Sequence, residues 1–89
     1  MKINFPYKNL LIKNHKSIWG SCSFDNIITL NIHLMRLPQY LQDYVILHEL
    51  CHIKEKNHSK AFWDLLNKYS RNKALELRKE LMKYSPKIY

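Results

Sequence analysis

The stretch His48-Glu49-Leu50-Cys51-His52-Ile53-Lys54-Glu55-Lys56-Asn57-His58 decides how the whole chain is read. His48 and His52 are four positions apart, so on a helix both imidazoles leave one face, one turn above the other. Two such rings can grip a single metal ion. Glu49 follows the first histidine, where the H-E-x-x-H pattern carries its general base. His58 lies six positions beyond His52, far enough for the helix to end and the chain to turn back with a third ring. Three protein ligands leave one tetrahedral position for water, which marks a catalytic rather than a structural zinc. A chain of this composition meets H-E-x-x-H by chance at roughly the one per cent level. An incidental pair of core histidines would not bring a third at His58.

The residues around this stretch predict a buried helix. From Leu41 to Ile53 apolar side chains fall on nearly every side: Leu41, Tyr44, Val45, Ile46, Leu47, Leu50, Cys51 and Ile53. A helix apolar all round is a core helix, so the metal sits against the core. Pro38 suits its first turn. Asn57 is expected as its left-handed terminal residue, because asparagine tolerates positive φ. Ser59 reads as the N-cap of a second helix, with Ala61, Phe62, Leu65 and Leu66 inward. Ser70 reads as the cap of a third, with Ala74, Leu77 and Leu81 as its apolar stripe.

Ahead of the helices the period changes. Leu10, Leu11 and Ile12 form a short apolar run compatible with a strand. Ser17 to Phe24 is rich in β-compatible residues and holds Gly20, the only glycine; a glycine inside a strand marks a bulge or a close backbone approach. Asp25-Asn26 signals a turn. Ile27 to Leu34 then alternates, with Ile28, Leu30, Ile32 and Leu34 on the inner face. The expected fold class is α+β: a small antiparallel sheet (a hairpin over about 17–34), then helices over about 38–56, 60–69 and 71–84. Residues 1–89 make one domain, closed by Pro86.

Composition bounds the class. Eighty-nine residues give a small core that a bound metal helps to stabilise. Hydrophobic content of 46% excludes a disordered chain. Cys22 and Cys51 do not form a secreted disulfide framework; Cys51 reads as a small core residue rather than a ligand. With no signal-peptide pattern and no long apolar run, no membrane is expected and the location is cytoplasmic. The net charge of +8 reflects lysines crowding the second half, from Lys54 to Lys87. Such a surface suits solubility, or nucleic acid as a partner.

Several separate runs share one resemblance. W-G-S-C-S at Trp19 to Ser23, I-T-L-N at Ile28 to Asn31, Leu37-Pro38, D-Y-V-I-L-H-E-L-C-H at Asp43 to His52, and N-H-S-x-x-F-W at Asn57 to Trp63 resemble the YgjP-like metallopeptidases, relatives of the SprT-type zinc proteases. The resemblance implies a zincin-like minimal domain, with one zinc ion held by His48, His52 and His58 and Glu49 as general base. It implies a peptide or protein substrate. Family members usually carry further β structure ahead of this part. For a hydrolase of this kind, Tyr44, Tyr69 or His33 is expected to support the oxyanion, and Asp64 and Asn31 to support the ligand histidines.

Overall fold

The computed structural model describes residues 9–14 and 18–84. Three strands come first: β1 (Asn9–Lys13), β2 (Gly20–Cys22) and β3 (Ile27–Asn31). A 3-10 helix (Ile32–Arg36) follows, then α1 (Gln39–Lys54), α2 (Lys60–Ser70) and α3 (Ala74–Leu81). The fold is α+β, as expected. Pro86 and Ser17 lie outside the described residues.

The β2–β3 hairpin forms around the expected turn. Asn26 takes a left-handed φ of 62°, and the Asn26 amide donates to the Ser23 carbonyl at 3.0 Å. Lys56, from the segment after α1, donates to the Ser23 carbonyl at 3.0 Å and also to the Asn26 side chain. One lysine of the basic surface thus fastens the hairpin turn to the chain that leads to His58.

Two expectations for the sheet are corrected. It is mixed rather than antiparallel: the order is β1-β3-β2, and β1 runs parallel to β3, pairing Leu10 with Ile28 and Ile12 with Leu30. The hairpin gives β2 one edge of β3, so β1 takes the other. Apolar character alone marks a strand without stating its partner or direction. Second, β3 stops at Asn31 rather than Leu34. The buried Asn31 carboxamide accepts from the His33 amide at 3.0 Å and donates to the Ile18 carbonyl at 2.8 Å. It caps the 3-10 helix, which leaves Leu34 buried but turns Ile32 out to solvent.

The helix ends are corrected as well. α1 begins after Pro38 and ends at Lys54; Glu55 is extended, and Asn57 is not among the positive-φ residues. Ser59 does occupy the N-cap position of α2, without a side-chain cap bond. Ser70 belongs to α2 rather than capping the third helix. Arg71 and Asn72 are both left-handed, and the Asn67 side chain accepts from the Ala74 amide at 3.2 Å to start α3.

The core lies where α1 meets the sheet on one side and α2 and α3 on the other. Leu41, Tyr44, Val45, Leu47, Cys51, Phe62, Leu66, Ala74 and Leu81 are all buried, so α1 is enclosed as its composition predicted. Gly20 is a close approach rather than a bulge. A Cβ built there would meet the Thr29 carbonyl oxygen at 3.1 Å and the Glu49 Cγ at 3.2 Å. The strand backbone passes close over Glu49, so a side chain at position 20 would require these neighbours to shift.

Two outcomes follow from this packing. Gly20→Ala should destabilise the fold by about 1–3 kcal/mol through overpacking, read as a shift in the denaturant midpoint. Leu66→Ala should cost about 2–5 kcal/mol, whereas truncating the exposed Leu75 should change stability by less than about 0.5 kcal/mol.

Candidate metal centre

α1 brings His48, Glu49 and His52 into the buried interior, and the turn after it returns His58 to the same point. The His58 Nε2 lies 3.2 Å from the His48 Nε2 and 3.1 Å from the His52 Nε2. One nitrogen from each ring falls within 4.8 Å of the others. Two nitrogens bound to one tetrahedral zinc, each about 2.0–2.1 Å from it, stand roughly 3.3 Å apart. The observed spacings match that edge, so the donor set fits a metal ion of this kind.

The protonation of the rings fits too. Burial, with the neighbouring His52 and His58 and the Arg78 charge, lowers the His48 pKa to about 2. Burial also lowers the pKa of His52 and of His58. All three are therefore neutral at neutral pH, the form whose ring nitrogen has a lone pair for a metal. His52 Nδ1 sits 3.0 Å from the Glu55 carbonyl oxygen. A carbonyl only accepts, so Nδ1 carries the proton and Nε2 presents its lone pair toward His58. That backbone partner exists because α1 stops at Lys54. Sequence patterning marks only side-chain candidates for such support, and so misses a carbonyl supplied by the helix end.

Phe62, fully buried in α2, forms the floor of the cluster. Its ring stacks on His52 at 4.4 Å and 20°, and meets His48 and His58 edge-on at 4.9 and 5.0 Å. One aromatic ring touches all three imidazoles and limits how each can turn.

Glu49 is fully buried, and neither carboxylate oxygen has a hydrogen-bond partner among the described residues. Desolvation raises its pKa well above the usual carboxylate range. It occupies the space opened by Gly20, next to β2.

The remaining candidates separate. Cys51 is buried outside the histidine cluster, and burial pushes its thiol up to about 12, as befits a core residue. Asp64 pairs with Lys60 at 2.7 Å on the exposed face of α2, away from the role expected of it. Asn31 caps the 3-10 helix. His33 bonds through Nε2 to the Asn14 side chain at 3.0 Å, and Tyr69 is an exposed residue of α2. Tyr44 is the one expected oxyanion residue beside the cluster, its ring edge-on to His48 at 5.9 Å and its hydroxyl buried without a partner among the described residues.

A cavity of about 670 Å³ opens beside the cluster. His48 and His58 line it together with Trp63, Asn67, Leu75 and Arg78. The Arg78 carbon ζ lies 5.9 Å from the centre of the Trp63 ring. Spacing arguments centred on the histidines do not find these residues, since they come from α2 and α3 and meet only in the folded chain.

The fold is similar to a solved structure, that of the metallopeptidase zymogen of Pyrococcus abyssi abylysin. The TM-score is 0.80 at 24% identity, covering 94% of this chain and 86% of that one. No curated protein matches the chain. A family model described as the YgjP-like metallopeptidase domain matches residues 1–84. With nearly the whole chain matched and a three-histidine cluster where that family's name calls for a metal, the protein belongs to the YgjP-like metallopeptidases.

Proposed function

We propose that the protein is a zinc-dependent peptidase in which His48, His52 and His58 hold the ion and Glu49 is the general base. The observation that carries this reading is the pairing of three converging, neutral ring nitrogens with a buried, unpartnered carboxyl group on the same helix. Burying a carboxyl group without hydrogen bonds is costly. Such a group is retained where it serves chemistry.

A bound zinc ion would polarise the scissile carbonyl and lower the pKa of water enough for it to lose a proton near neutrality. Glu49 then takes that proton on a carboxylate oxygen as the water oxygen attacks the carbonyl carbon. The charge of a bound ion would favour the ionised carboxylate that this step needs, against the burial that raises the Glu49 pKa in the absence of the ion. As the C–N bond breaks, Glu49 returns the proton to the leaving nitrogen, giving a free carboxylate and a free amine. The Gly20 backbone holds Glu49 from one side, and its place next to His48 in sequence keeps it near the ligands without making it one.

Metal analysis should find one zinc per chain. A chelator should lower the melting temperature, since an ion bound only by the folded state stabilises it by mass action. His48→Ala and His52→Ala should abolish zinc binding, and His58→Ala should weaken it far more than the surface change Lys79→Ala. Metal-free protein whose melt is indifferent to zinc would overturn the reading.

Glu49→Gln keeps the side-chain shape and removes the base. The variant should bind zinc and fold, yet hydrolyse unfolded protein or peptide about 10²–10⁴-fold more slowly. Zinc lost as fully as in His48→Ala would make Glu49 a ligand instead.

A further inference from the structure

The cavity beside the histidines has a polarity that cleavage of a generic peptide bond does not require. Its walls include the Trp63 indole and the Leu75 side chain, and its charged group is Arg78. The Arg78 guanidinium lies over the Trp63 ring, which is itself 6.4 Å from His48 and 6.3 Å from His58, centre to centre. The cation is therefore one aromatic ring away from the imidazoles. No carboxylate among the described residues forms an ion pair with it; the ion pair found there joins Lys60 and Asp64.

Arginine is suited to this position. Its planar fork binds a carboxylate through two parallel hydrogen bonds, and a guanidinium within about 6 Å of an indole centre is attracted to the ring face. A cavity of about 670 Å³ is far larger than one carbonyl oxygen requires and takes a side chain or a chain end. An extended peptide advances about 3.3–3.6 Å per residue. A group one or two residues from the scissile bond thus reaches a cation held one ring away from the metal ligands.

We propose that Arg78, beside Trp63 in the wall of the cavity, is a specificity-determining residue that binds a carboxylate of the peptide next to the bond being cut. The carboxylate belongs to the chain terminus or to an acidic side chain. The subsite rests on the peptidase reading but makes a separate demand on binding.

The probes are three forms of acetylated tetra-alanine: with a free C-terminal carboxylate, with an amidated C-terminus, and amidated with aspartate replacing the third alanine. Their binding to the zinc-loaded protein is measured by calorimetry, and their hydrolysis in parallel. At least one carboxylate form should bind about 10-fold tighter than the plain amide, as expected for a charge-assisted pair. Preference for the free acid alone identifies the chain terminus; preference for the aspartate form alone identifies an acidic side chain.

Arg78→Gln should erase the preference while its melting curve matches wild type, since Arg78 is exposed. Arg78→Lys should restore only part of it, because an ammonium has no planar fork. A preference that survives Arg78→Gln would place the carboxylate elsewhere, for example at the metal, and overturn the proposal. So would equal binding of all three forms, or no measurable binding of any. Hydrolysis without an Arg78-dependent preference overturns the subsite and leaves the peptidase. An Arg78-dependent preference without hydrolysis keeps the subsite and overturns the peptidase.

Discussion

A helix buried around most of its circumference has to resolve its inward polar residues internally, and α1 does so at one point. His48, Glu49 and His52 are each at most 5% exposed, in a molecule small enough that each buried polar group weighs on its stability. Neutralisation answers the electrostatic part of the problem. Burial keeps the imidazoles uncharged and favours the protonated carboxyl. Hydrogen bonding answers less of it, since His48 Nδ1 and both Glu49 oxygens have no partner among the described residues. The helix thus holds, at one point, a converging set of ring nitrogens and a buried carboxyl group that packing alone does not satisfy.

The surrounding elements are shaped to that cluster. α1 ends early enough for the Glu55 carbonyl to fix the His52 tautomer. Lys56 ties the following segment to the hairpin turn, and Phe62 rises from α2 under all three rings. On β2 the strand approaches so closely at Gly20 that a Cβ there would press on the Thr29 carbonyl and the Glu49 side chain. The histidine cluster and the core are therefore one packing unit: a change at Phe62 or Gly20 bears on both the stability of the fold and the geometry of the rings.

How much of this was legible in the sequence differs from element to element. The i, i+4 histidines, the third histidine and the enclosed helix follow from local spacing and composition, because a helix sets which residues share a face. Gly20 was legible in part: glycine inside a strand pattern marks a bulge or a close approach, and the packing against Thr29 and Glu49 decides for the second. The end of β3 was not. Ile32 and Leu34 continue the alternation, yet the buried Asn31 side chain starts a 3-10 helix instead. The start of α3 was missed for a similar reason: two successive left-handed residues, Arg71 and Asn72, break the chain where no glycine marks a turn.

The sequence by itself determined the three-histidine pattern, the glutamate beside it, the α+β class and the helix that carries two of the histidines. Each of these depends on neighbours within about one or two turns, where periodicity translates directly into geometry. Only the tertiary structure decided the parallel pairing of β1, the backbone carbonyl behind His52, the aromatic floor at Phe62 and the gathering of Trp63, Leu75 and Arg78 around the cavity. Those contacts join segments far apart in the chain. Which segments meet is settled by how all the apolar faces are buried together, and no local pattern of residues contains that information.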